Sequence, residues 1–155
     1  MKNFYKKGIT ILELLIVLAI LGLFIALTLF QFSKFREQQV LKSSVNDTLS
    51  SISKARSQTL SSLNSFVYGI HFESDKVIIF KGTVFNNNDP LNEIINIISP
   101  ATISNVTLGG ISGTSGEMYF NRLYGVPSKT GMVTISIPSS SKVITISATG
   151  SASIN

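Results

Sequence analysis

From Ile9 to Phe32 the chain reads ITILELLIVLAILGLFIALTLFQF, twenty-four residues carrying a single charge, Glu13. As a helix this run spans about 36 Å, against roughly 30 Å for the hydrocarbon core of a bilayer. It therefore reads as a transmembrane helix that crosses with some tilt. The preceding segment, MKNFYKKG, is basic through Lys2, Lys6 and Lys7, and the chain after the run is long and polar. That asymmetry puts the N-terminus in the cytoplasm and residues 33–155 outside. A cleaved secretory signal would have an apolar core of about 7 to 15 residues and a small-residue cut site after it. This run is longer, and Ser33-Lys34-Phe35-Arg36 offers no such site. A plain signal anchor explains the basic head and the length equally well, but it leaves Glu13 without a reason.

A carboxylate on the fifth residue of an apolar span costs about 2 to 3 kcal/mol if it lies deep in lipid, so it calls for a partner. Cutting the chain after Gly8 would give Ile9 a free α-amino group with a pKa near 8, hence a positive charge close to Glu13. In one continuous helix Ile9 and Glu13 are i and i+4, and an acid in the first turn is also favoured by the helix dipole. Pairing of Glu13 with the amine of a neighbouring subunit is the second reading, since it would fix the stagger of packed helices in a low-dielectric bundle.

The stretch Lys7-Gly8-Ile9-Thr10-Ile11-Leu12-Glu13-Leu14-Leu15 resembles the class III signal of type IV prepilins: a basic leader ending in Gly, an apolar residue, Thr, two more apolar residues and Glu. The resemblance implies cleavage by a prepilin peptidase between Gly8 and Ile9, N-methylation of Ile9, and recruitment of the incoming subunit through Glu13, with Thr10 in the same assembly segment. It also implies other pilin or pseudopilin subunits, an inner-membrane assembly platform and a cytoplasmic ATPase as partners. Many such proteins carry a proline near the end of the span. This chain has Leu29-Phe30-Gln31-Phe32 there.

Beyond Phe32 no proline occurs before Pro90. Leu41, Val45, Leu49, Ile52, Ala55, Leu60, Leu63 and Phe66 recur at helical spacing, with Ser, Lys, Gln and Asn between them, predicting an amphipathic helix over about 33–64. A single helix from Ile9 to Asn64 would be about 84 Å long. From Ser65 the composition turns to Val, Ile, Phe, Tyr and Thr broken by Gly, Asn, Ser and Pro, which is strand-and-turn texture. Ser65 to Phe72, with Phe66, Tyr68, Ile70 and Phe72 on one face, predicts a strand. Glu73-Ser74-Asp75 turns it into a second, Lys76 to Lys81. Leu91 to Ile98 fits either a helical face or a strand. Thr102 to Leu108 and Glu117 to Tyr124 read as strands joined by a flexible glycine-rich connection, Gly109 to Gly116. Met132 to Ile137 and Lys142 to Ala148 form the last pair, across Pro138 to Ser141.

The expected fold class is α+β: a long N-terminal helix, half transmembrane, packed on a small antiparallel sheet domain, about 65–150. The domain plan is a leader at 1–8, a membrane and assembly segment at 9–32 and an outer domain at 33–155. Met118-Tyr119-Phe120-Asn121, Gly125 and two short strands ending in Ile146-Ser147-Ala148-Thr149-Gly150 resemble the C-terminal half of minor pseudopilins of the GspH/FimT group. The implied function is a structural subunit of a type II secretion pseudopilus or type IV pilus. The alternatives are a major pilin for adhesion, motility or DNA uptake, and a signal-anchored envelope domain that never polymerises.

Other chemistry has little to stand on. There is no cysteine and one histidine, His71, which leaves no convergent nucleophile, base and orienter, so the chain is not expected to be an enzyme and no catalytic residue or cofactor is assigned. Of thirteen Lys and Arg, three lie in the leader, and the remaining ten face eight acids, a balance that gives nucleic-acid binding little support. The Gly-Arg-x-Arg ending by which some FimT-like proteins hold DNA corresponds to Gly150-Ser151-Ala152-Ser153, without arginine. Asn86 to Asp89 has one carboxylate among three amides, a poor site for a hard cation, so no metal is assigned. Gly109-Gly110 and Gly113 to Gly116 lack the lysine of a phosphate loop. His71 reads as a surface or edge residue.

Overall fold

The computed structural model describes residues 8–155. A single long helix, α1 (Ile11–Leu60), precedes nine strands: β1 (Tyr68–Phe72), β2 (Lys76–Lys81), β3 (Glu93–Asn96), β4 (Thr102–Leu108), β5 (Ile111–Gly113), β6 (Gly116–Tyr119), β7 (Gly131–Ile137), β8 (Ser140–Ile146) and β9 (Ala152–Ile154). The contacts divide the chain between Arg36 and Glu37. From Glu37 onward, helix and strands form an α+β domain with two antiparallel sheets, ordered β3-β2-β1-β6 and β5-β4-β7-β8-β9.

The helix residues that enter this core are Leu41, Val45, Thr48, Ile52, Ala55 and Thr59, each at most 2% exposed. Their spacing alternates four and three, so they share one face. Against them lie Ile70, Phe72, Val77, Ile79 and Met118 of the first sheet and Ile103, Val106, Val133, Ile135, Ile144 and Ile146 of the second. Ser44 and Ser51 are buried beside the stripe. The buried hydroxyls reduce the apparent amphipathicity of the helix, and those of Thr48, Ser51 and Thr59 cost little in the core because each finds a carbonyl one turn back. Thr48 Oγ1 donates to Ser44 O at 2.8 Å, Ser51 Oγ to Asp47 O at 2.7 Å and Thr59 Oγ1 to Ala55 O at 2.9 Å. Thr59 Oγ1 also accepts from the backbone N–H of Tyr68 at 2.9 Å, tying the end of the helix to the start of β1.

Several boundaries differ from the sequence expectation. The helix begins at Ile11 rather than Ile9 and stops at Leu60, not Asn64. Ser62, Asn64 and Ser65 take left-handed backbone angles (φ 50°, 53° and 61°), so the chain reverses at once into β1. Leu60, Leu63 and Phe66, expected on the inner stripe, are consequently exposed. Phe66 instead lies under the Lys81 ammonium, 3.5 Å from its ring centroid. Leu91–Ile98 resolves as strand, through β3 paired on β2.

The glycine-rich connection is not flexible linker. Leu108 pairs with Ile111 across Gly109 and Gly110, whose φ values of 61° and 83° suit the mirror-image turn that follows strand twist. The strand expected to reach Tyr124 ends at Tyr119; the chain then turns through Asn121–Val126, closed by Asn121 N–H to Val126 O at 2.9 Å. β9 lies in a stretch too rich in serine and alanine to announce a strand.

His71 is also corrected. It sits on β1, an inner strand, and its ring stacks on Phe85 with centroids 4.0 Å apart and planes 10° apart. Glu73 Oε1 is 3.4 Å from Nε2 and Glu117 Oε2 is 3.8 Å from Nδ1. The Phe85 N–H donates to the same Glu117 oxygen at 3.3 Å, holding the loop after β2 over the outer face of the first sheet. Burial pulls the His71 pKa below 6.5, outweighing Glu73 and Glu117, which raise it, while Lys76 adds to the lowering.

Two expectations follow from this core. Thr59→Val keeps the volume but strands the Tyr68 N–H, and is expected to cost about 1 to 3 kcal/mol in urea denaturation of the detergent-solubilised chain, whereas Thr48→Val, whose hydroxyl serves only its own helix, should be near neutral. Because the folded pKa of His71 is lowered, the neutral ring contributes stability that is complete above pH 6.5 and is lost as pH falls through the folded value. Midpoint stability should therefore decline as pH falls below about 6.5 in the natural chain, and more shallowly in His71→Gln, at pH values above the carboxylate range.

Candidate processing and assembly site

The residues singled out at the N-terminus are Gly8, Ile9, Thr10 and Glu13. The basic segment 1–7 of the leader lies outside the described residues. Gly8, Ile9 and Thr10 are non-helical and exposed, and α1 starts at Ile11. Among the described residues a side chain at Gly8 would meet nothing within 4 Å.

Thr10 is the N-cap. Its Oγ1 accepts the backbone N–H of Glu13 at 3.2 Å, while its carbonyl accepts the N–H of Leu14 at 3.1 Å, the first helical bond. A threonine followed three residues later by glutamate is the capping-box spacing, and the observed bond is one of its two halves. Thr10 and Glu13 thus set where the helix begins. Ile9 accordingly lies one residue before the cap, and the reading of Ile9 and Glu13 as successive turns of one helix does not hold. Among the described residues the Glu13 carboxylate has no ion-pair partner.

Downstream of the cap the helix is apolar on every side. From Ile11 to Leu27 each described residue is exposed, with Ile11 at 80%, Leu15 at 60% and Phe24 at 62%. A helix apolar all round has no solvent face and calls for lipid or for other helices around it. Among the described residues no helix is long and apolar enough to cross a membrane. The crossing of a bilayer by residues 9–32 is thus a reading of the sequence.

The remaining candidates fall into local structure. In the Asn86–Asp89 loop, Asn86 Oδ1 accepts the Asn88 N–H at 3.0 Å and Asp89 Oδ1 accepts the Leu91 N–H at 2.9 Å, so these oxygens are spent on the loop's own backbone. Gly150, with φ 81°, turns β8 into β9.

Comparison with known proteins bears on the N-terminal segment. No curated protein and no solved structure matches the chain. The family model of the prokaryotic N-terminal methylation motif matches residues 3–29, which include Gly8, Ile9, Thr10 and Glu13 and stop short of the sheet domain. The chain therefore carries, at its N-terminus, the methylation and processing motif of type IV pilin-like proteins.

Proposed function

We propose that the chain is a structural filament subunit, a minor pseudopilin of a type II secretion pseudopilus or type IV pilus. Prepilin peptidase cuts between Gly8 and Ile9, and Ile9 is N-methylated. Residues 9–32 hold the subunit in the cytoplasmic membrane, N-terminus inside and domain 33–155 outside, until an inner-membrane platform and its ATPase move it into the filament. The observation that carries this reading is a helix left apolar and uncovered on all sides immediately after a capped start at an open glycine. Such a surface favours lipid before assembly and neighbouring helices after it, with each fully buried Leu, Ile or Phe worth roughly 1.5 to 3 kcal/mol.

Glu13 supplies the register. Its carboxylate is unpaired among the described residues, and the amine released at Ile9 of an adjacent subunit is a cation of suitable charge in a medium where an unpaired acid is expensive. The lack of cysteine removes the disulfide-closed loop of major pilins and favours the minor role. A major pilin for adhesion or motility is the second reading.

Intact mass of the membrane-extracted protein tests processing. The mature chain is expected to begin at methylated Ile9, and Gly8→Glu should retain the leader; an unprocessed Met1 terminus in the native host would sink the proposal. Assembly is tested separately, by recovery in sheared filaments. Both Glu13→Leu and Glu13→Gln should be cleaved yet excluded, and since glutamine keeps the capping pattern while removing the charge, normal incorporation of Glu13→Gln would reject the ion pair.

A further inference from the structure

An open groove of about 530 Å³ runs between the second half of α1 and the turn joining β8 to β9, lined on the helix side by Ser53, Arg56, Ser57 and Ser61 and opposite by Gly150 and Ser151. That volume falls in the range of small-molecule sites. Arg56 is the charged residue of its lining, and no acid lines it. The guanidinium is held in place by neutral groups: Nε donates to Gly125 O at 2.9 Å and Nη2 to Thr149 O at 2.9 Å. Among the described residues no carboxylate pairs with it. Of its five N–H donors, two are committed and the positive charge is uncompensated.

The backbone is shaped for this close approach. Gly150 has φ 81°, and a Cβ there would lie 2.2 Å from Gly125 O and 2.9 Å from Arg56 Nε. Beside the guanidinium, Ser53 and Ser57 are one helical turn apart, and among the described residues neither hydroxyl has a hydrogen-bond partner. By contrast, Ser61 Oγ is spent on Gln58 O at 3.1 Å, and Ser151 Oγ lies 2.8 Å from Ser147 Oγ. A fixed cation with spare donors, flanked by two uncommitted hydroxyls and no acid, is complementary to oxygen-rich anions.

We propose that this groove binds a small polar ligand through an oxyanion, a carboxylate or phosphate group seated on the Arg56 guanidinium and the Ser53 and Ser57 hydroxyls. The site belongs to the folded domain and stands whether or not the chain assembles into a filament. The competing account is that Arg56 only ties α1 to the two turns.

Titration of the full chain in detergent micelles at constant ionic strength, with inorganic phosphate and separately with acetate, distinguishes the two accounts. Nitrogen-15 NMR should show saturable shifts at Arg56 Nε and the Ser57 amide in the millimolar range with at least one of the anions, and which anion acts identifies the chemistry. Ser57→Glu leaves the Arg56 tie intact and places a carboxylate in the groove, so it should weaken that response by about tenfold or more, a loss of roughly 1.4 kcal/mol. Ser53→Ala combined with Ser57→Ala should weaken it while leaving the amide spectrum of β8 and β9 in place. Shifts that never saturate with either anion, or an affinity unchanged in Ser57→Glu, would overturn the site.

Discussion

Six positions on one helical face, Leu41, Val45, Thr48, Ile52, Ala55 and Thr59, hold the folded domain together. Buried residues from strands of both sheets join this stripe in one core. Only three of the six are large aliphatic residues. Alanine and threonine, with Ser44 and Ser51 beside them, keep the helix surface low so that isoleucine and phenylalanine from the strands can fill the space. The hydroxyls of Thr48, Ser51 and Thr59 are admitted to the core because the helix itself supplies their acceptors, at distances of 2.7 to 2.9 Å. Burying a hydroxyl without such an acceptor costs about 1 to 3 kcal/mol, enough to decide whether threonine is tolerated there.

The same helix meets the opposite condition before Arg36. Leucine, isoleucine, valine and phenylalanine surround it, and every described residue from Ile11 to Leu27 is exposed. The later part of α1 satisfies its apolar face within the chain; the earlier part has to satisfy its own outside it. The capping bond from Glu13 N to Thr10 Oγ1 gives the uncovered part a defined beginning, within the stretch that the N-terminal methylation motif covers.

Close approach recurs wherever the domain places unusual chemistry. Gly69 allows the Phe80 ring to lie over β1, since a Cβ there would be 2.3 Å from Phe80 Cζ. Next to it, Phe85 covers Phe80 and His71 in a second, smaller apolar layer on the outer face of the first sheet. Gly150 does the same for Arg56. In each case a glycine brings backbone and side chain nearer than any other residue would permit, and a titratable or charged group is left in an environment shaped by its neighbours rather than by water.

Much of this was legible from residue order. The apolar run with Glu13, the glycine before it, the helical spacing of Leu41 to Ala55 and most strand positions depend on local periodicity and composition. The two-glycine turn after Leu108 was within reach too, since Gly-Gly between strand-forming residues is a hairpin signal. What the sequence by itself determined is therefore the division of labour: an anchor-like N-terminal helix and an α+β domain of antiparallel strands. Only the tertiary structure decided that there are two sheets, that Thr59 and not Leu60 faces the core, that His71 is covered by Phe85, and that Arg56 meets Gly125 and Thr149 across 69 and 93 residues of chain. Periodicity reports which side of an element is apolar. Which element it meets, and which polar atoms are stranded or satisfied there, depends on residues distant in sequence and becomes fixed when the strands close around the helix.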